Sequence, residues 1–239
     1  PLALTDILYA DSAYVMTSQN QPTPIFVSND GIVWTTSGLA NGTVNVQNTS
    51  LNSIAYFNGV YVAVGDVIVS STTAYDWIQR YQFTNVELYG VSDISINNFD
   101  GFIAVGTGPD YSVIPTASQS VILKSLDGLT WTNITPSASA ETLYGVSSGN
   151  NTIVVVGNNG TIFTSINGSN WNDISTGSAN LRDVVYSANL GLFVVVGESG
   201  FIATTNGSTW NVRTSGTSQN LNSVIWNSDL GEFIITGNN

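Results

Sequence analysis

The chain has 239 residues, 16 of them acidic and 4 basic, a net charge of −12, and neither histidine nor cysteine. With Arg80, Lys124, Arg182 and Arg213 as its only cations, it offers phosphates no basic surface and anionic membranes repel it, so nucleic acid and membrane insertion are excluded as partners. The missing Cys and His remove the common zinc, haem and iron–sulfur sites, a thiol nucleophile and the usual general base near neutral pH, so no cofactor and no metal is expected. Ser, Thr and Asn together make 82 residues, set among 25 aromatics and many Val and Ile. Those residues favour strands and turns over helices, and five Asn-Gly and three Asp-Gly pairs add hairpin signals, so the predicted class is all-β.

Two phrases recur along the chain. The first runs from a leucine to a glycine and reads as two strands joined by a short turn, the second strand a buried Val/Ile run. It appears at Leu51–Gly65, Leu88–Gly106, Leu143–Gly157, Leu181–Gly197 and Leu221–Gly237, with a looser version at Leu4–Ser18. The second phrase is [Ser/Thr]-x-[Asp/Asn]-Gly-x-x-Trp, at 28–34, 125–131, 165–171 and 204–210, with a worn copy at 71–77. It predicts a tight turn: Asp or Asn binds nearby amides, Gly takes positive φ, and Trp anchors the returning strand. Each full unit therefore has four antiparallel strands, A to D. Such units predict a β-propeller with blades at 4–50, 51–87, 88–142, 143–180 and 181–220, then a half-blade at 221–239. The single domain 1–239 is expected to belong to a longer polypeptide, the alternative being a short last blade whose edge a partner covers.

The turn phrase resembles the Asp-box, or BNR repeat, of sialidase-like propellers. Its pairing with the Leu…Gly phrase is similar to photosystem II stability/assembly factor propellers, and related repeats occur in phage virion proteins. The resemblance implies the propeller fold and makes the boxes structural turns. A sialidase would require an arginine triad with a Tyr/Glu nucleophile. Arg80 and Arg213 fall on outer D strands and Arg182 on an inner A strand, so no catalytic residue carries over. The basic patch implied by the assembly-factor likeness is also missing.

The acidic residues read mainly as turn formers: Asp30 and Asp127 in boxes, Asp100 and Asp229 in A–B turns, Asp66 and Glu198 in B–C turns. The Asp93–Asp100 region and the Asp110 loop are the places where a calcium ion would be sought. In a propeller the B–C and D–A connections share one face, and the large departures from the repeat lie there: 107–120 in unit 3, with 18–24 and 37–50 in unit 1. Loops on a rigid scaffold are the usual seat of recognition. Asp110 and Tyr111 are the first candidate ligand-binding pair, with Tyr75 and Tyr81 beside the worn box as further candidates. The expected function is a non-catalytic interaction module of an extracellular particle, above all a phage virion structural or receptor-binding protein. Its partners would be protein subunits of the assembly or a neutral glycan, and its location the virion or the extracellular space. A secreted or periplasmic lectin-like or assembly propeller is the alternative, and an acidic-residue glycosidase a third.

Overall fold

The computed structural model describes residues 3–19, 24–39, 49–82, 84–110, 117–136, 140–177, 179–206 and 209–238. Blade 1 is β1 (Ala3–Ala10), β2 (Ala13–Gln19), β3 (Ile25–Ser28) and β4 (Thr35–Thr36). A short β5 (Gly38–Leu39) then leaves blade 1 and pairs in parallel with the outer edge of blade 2. Blade 2 itself is β6 (Leu51–Phe57), β7 (Val60–Gly65), β8 (Val67–Ser71) and β9 (Asp76–Gln82). Blade 3 is β10 (Glu87–Ile96), β11 (Phe99–Asp110), β12 (Ala117–Ser125) and β13 (Thr132–Asn133). Blade 4 is β14 (Leu143–Gly149), β15 (Thr152–Gly157), β16 (Ile162–Ser165) and β17 (Asn172–Asp173). Blade 5 is β18 (Leu181–Ser187), β19 (Leu192–Gly197), β20 (Ile202–Thr205) and β21 (Asn211–Arg213). The half-blade is β22 (Leu221–Asn227) and β23 (Glu232–Gly237). Within each blade the strands pair in sequence order and antiparallel, so the architecture is an all-β propeller of four-stranded blades.

The turn phrases fold as the residue types require. Asp127 Oδ1 accepts from the amides of Leu129 at 2.8 Å and Thr130 at 2.9 Å, while Ser125 Oγ accepts from Gly128 at 2.8 Å. Asn167 repeats this with Ser169 and Asn170. In the worn copy Thr73 stands in for the Asp, accepting from Tyr75 and Asp76, and Ala74 holds the Gly position at φ 66°. Trp77 there is fully buried, whereas Trp34, Trp131, Trp171 and Trp210 are half-buried.

The blades pack face to face through apolar clusters, one each between blades 1 and 2, 2 and 3, 3 and 4, 4 and 5, and 5 and the half-blade. The B strands supply their centre: Val154, Val155 and Val156, and Val194, Val195 and Val196, are all buried. Each such side chain contributes about 1.5–3 kcal/mol relative to exposure. Among the described residues no cluster joins the half-blade to blade 1. Leu4, Ile7 and Tyr9 on β1 and Ile225 and Ile234 on the half-blade stay exposed.

Two expectations need correction. The stretch 107–120 is not one loop. β11 and β12 continue pairing through Thr107↔Ser120, Gly108↔Gln119, Pro109↔Ser118 and Asp110↔Ala117, so the insertion begins as a projecting ribbon. Extending the ladder lets the backbone amides of the insertion bond one another rather than depend on solvent. Asp100 likewise sits in β11, opposite Ser95, just beyond the A–B turn in which it was expected.

Candidate functional site

Every A strand carries a β-bulge at the same place. Pairing jumps from Leu4 to Asp6, Leu51 to Ser53, Leu88 to Gly90, Leu143 to Gly145, Leu181 to Asp183 and Leu221 to Ser223. The residue after each leucine is therefore an extra one, and the bulge turns it out of the sheet. In five of the six phrases a closing glycine lets the neighbouring strand approach closely at the bulge, and in blade 1 Ser18 stands in its place. A Cβ on Gly197 would lie 2.3 Å from the Asn180 carbonyl, and one on Gly157 2.3 Å from that of Thr142.

Six bulges around one axis build a site. A cavity of about 200 Å³ is lined by residues of all six A strands. The extra residues form its outer ring: Thr5, Asn52, Tyr89, Tyr144, Arg182 and Asn222. The next position forms its floor: Asp6, Ser53, Gly90, Gly145, Asp183 and Ser223. A strands begin on the face of the B–C and D–A connections, so the cavity opens where recognition was expected, but at the centre of the face rather than at its rim.

Two carboxylates hold this ring together. Asp6 Oδ2 accepts from Ser53 Oγ at 2.9 Å and the Ile54 amide at 3.0 Å, and its Oδ1 from the Ile7 amide at 2.8 Å. Asp183 does the same four blades on, with Ser223 Oγ and the Val224 amide at 2.9 Å and the Val184 amide at 2.8 Å. Each latches its own blade to the next. Burial pushes both carboxyls up despite these bonds, Asp183 to about 6, and the Asp6 charge adds to the rise at Asp183.

The outer ring is polar and aromatic. Thr5 Oγ1 donates to the Leu51 carbonyl at 2.6 Å, and Asn52 Nδ2 to the Leu88 carbonyl at 2.8 Å. Tyr89 and Tyr144 lie with ring centroids 5.1 Å apart, and the Tyr89 hydroxyl donates to Glu87 at 2.8 Å. Arg182 lies over the Tyr144 ring at 4.6 Å and pairs with Glu198, which Asn180 also contacts. The Asn180 bond, followed by Arg182, holds the Glu198 carboxyl below its ordinary range. This arrangement has flat aromatic surface, amide donors and acceptors, and one guanidinium already oriented by its neighbours, which suits the capture of a polar ligand.

The residues singled out from the sequence fall elsewhere. Tyr111 and the side chain of Asp110 lie outside the described residues. Tyr81 is half-exposed at the outer edge of blade 2 and lines a second cavity of about 260 Å³ with Val86, Gly108, Pro109 and Trp131. The structure thus brings Tyr81 beside the stem of the blade 3 ribbon. Tyr75 is not brought there. It lies at the C–D turn, on the opposite face, where its hydroxyl donates to Asn29 at 3.1 Å and ties blade 2 to blade 1. Arg80 on β9 and Arg213 on β21, both outermost strands, bond Ser70 and Thr204 of the strands beside them, whereas Arg182 is on the innermost strand β18. Among the described residues no three Asp or Glu converge as a metal site would need. What sequence reasoning missed is the column after each repeat leucine, a polar position recurring six times inside an apolar phrase.

No family model and no curated protein matches the chain. Its fold is similar to several solved structures. One is YCF48 bound to D1 peptide, at 15% identity and a TM-score of 0.67, covering 99% of this chain and 74% of that one. Another is YCF48 from Cyanidioschyzon merolae, at 12% identity and a TM-score of 0.62, covering 92% and 75%. A third is the extracellular domain of a hybrid two-component system, BT4673, from B. thetaiotaomicron, at 9% identity and a TM-score of 0.67, covering 98% of this chain and 31% of that one. At these identities the likeness establishes the propeller fold and nothing finer.

Proposed function

We propose that the chain is a non-catalytic recognition propeller that receives an extended peptide segment of a protein partner at the mouth of its central cavity. The observation that carries this reading is the joint cavity of the six bulges. Its outer ring offers amide and hydroxyl groups for a peptide backbone, and the Tyr89–Tyr144 pair and Arg182 for side chains. Its two floor carboxylates each take three donors from the fold itself, a structural role. That a similar fold has been solved with a peptide bound supports this choice of ligand.

A peptide library panned against the intact chain tests the proposal. Binders are expected to lose affinity about tenfold or more when Arg182→Ala or Tyr144→Ala is introduced. Binders indifferent to both substitutions would refute the assignment to the mouth of the central cavity. A second reading, a neutral glycan, is favoured by the outer cleft, where Tyr81 and Trp131 present aromatic surface beside Pro109. Glycan-array binding abolished by Tyr81→Ala but retained in Arg182→Ala would select it. A virion or extracellular setting belongs to the same proposal and rests on the cation-poor, hydroxyl- and amide-rich composition. Detection of the protein in purified particles or culture supernatant, rather than in the cell fraction, checks it.

A further inference from the structure

The large apolar side chains that stay exposed are not spread evenly. Of the seventeen among the described residues, eight lie in A–B and C–D turns, and only Ile174 lies in a connection of the opposite face. Six of the eight belong to blades 1 to 4: Ile32, Val33, Tyr75, Leu126, Leu129 and Ile166, with Ile32 at 82% and Leu126 at 69% accessible. Direct contacts hold these turns side by side. The Tyr75 hydroxyl ties the turn of blade 2 to that of blade 1. A Cβ on Gly128 would lie 3.1 Å from Val60, so the blade 3 box packs on blade 2. Asn98 Nδ2 donates to the Ile166 carbonyl at 3.4 Å and Lys124 Nζ to the Asn167 carbonyl at 3.0 Å, joining blades 3 and 4. Apolar residues scattered singly are ordinary on a surface, whereas a group gathered at one end marks a contact.

Charge says what the contact takes. Asp11, Asp30 and Asp127 are exposed in the same turns, and no cation stands in any of them. Lys124, near the end of β12, is spent on the Asn167 carbonyl and on the Phe99 ring, 4.1 Å away. A second copy would set the same carboxylates against these, at a net charge of −12 on each chain, and an anionic membrane would be repelled as well. The apolar tips are also held in place. Asp30 Oδ1 accepts from the amides of Ile32 at 2.8 Å and Val33 at 2.9 Å, so one turn fixes a carboxylate and the two tips beside it. Groups ordered in advance lose little freedom on binding. We propose that this end of blades 1 to 4 is a second interaction surface, on the face opposite the mouth of the central cavity. It docks a protein partner that presents Lys or Arg among apolar side chains.

The test uses two synthetic probes, an amphipathic peptide of Leu and Lys and the same peptide with Glu for Lys, with affinity read by fluorescence anisotropy. The Lys peptide is expected to bind and the Glu peptide not. Ile32→Ser, Leu126→Ser and Ile166→Ser combined, all at exposed positions, should weaken binding about tenfold, while Val212→Ser, as exposed but on β21, should not. Asp30→Asn with Asp127→Asn removes charge and keeps the turn, because Asn167 makes the same amide bonds in blade 4. That pair should lower affinity about threefold or more and flatten its dependence on salt. Unchanged binding in either combination would overturn the proposal, as would equal binding of the Glu peptide. So would a dimer in sedimentation, or flotation with phosphatidylcholine vesicles, that the three serines abolish, since the occupant would then be a second copy or a lipid surface. Arg182→Ala should leave this binding intact. A loss there would move the peptide to the central cavity and overturn the assignment to the opposite face, without touching the reading of the cavity itself.

Discussion

The second strand of blade 5 reads Leu-Phe-Val-Val-Val-Gly and that of the half-blade Glu-Phe-Ile-Ile-Thr-Gly. They occupy the same place beside an inner strand, in the same register. Yet β19 is buried along almost its whole length, while β23 alternates between exposed and half-buried. The difference lies in the neighbours. β19 has a third strand on its edge and a blade on each face, whereas β23 has the blade 5 cluster on one face alone. Burial in a propeller is conferred by the ring, and a strand with core-like sequence holds core-like stability only where the ring supplies both sides.

Substitutions can break that comparison. Phe193→Ala, at a side chain 1% exposed, should cost about 3–5 kcal/mol by urea unfolding. Phe233→Ala in the half-blade should cost only about 1–2 kcal/mol, the value of a half-buried ring. Equal costs would mean that the two strands share one environment after all. Gly197→Ala and Gly237→Ala force a Cβ to 2.3 Å from a facing carbonyl in each blade. The first should cost about 1–3 kcal/mol and the second less, because an unpaired strand can shift to make room. Asp127→Ala, removing the acceptor for two turn amides, should cost about 1 kcal/mol, the scale of a lost helix cap.

The last effect is a pH dependence and concerns the latches. Asp183 is raised from 3.8 to about 6, so between those values the folded chain binds more protons than the unfolded one. Its contribution therefore favours folding at low pH and declines as pH rises from about 4 to about 6. Thermal melts of Asp183→Asn should show a flatter pH dependence across that window, on a lower overall stability because an amide cannot replace both acceptor oxygens. Asp6→Asn should act in the same direction at the blade 1–2 junction. A slope unchanged in both variants would place the titration elsewhere.

The fold was legible because its information is repeated. The Leu…Gly phrase and the Asp/Asn-Gly turn each occur often enough that a worn copy, such as Thr73-Ala74 in blade 2, is carried by its neighbours. The site was legible only as to its face. Tyr75 and Tyr81 stand out in the sequence as tyrosines beside the worn box, and the structure places Tyr81 at a cleft and Tyr75 at a turn on the opposite face. Asp6, Tyr89, Tyr144 and the adjacent Arg182 and Asp183 went unread as a group because they fall in four separate phrases, far apart in sequence, and only curvature of the ring brings them together. The bulge that aims them leaves no composition signal: it shows itself only as a shift in register.

That bulge has a consequence for how such a protein can change. The position after each repeat leucine holds Thr, Asn, Tyr, Tyr, Arg and Asn in turn, and none of the six is fully buried. Because the insertion has already been absorbed by the strand, the residue there can be exchanged with little disturbance to the layers beneath. The six positions are coupled around the rim, Tyr89 against Tyr144 and Arg182 over Tyr144, with Thr5 and Asn52 bonded to the next blade, so an exchange at one is felt by its neighbours while the strands beneath stay as they are.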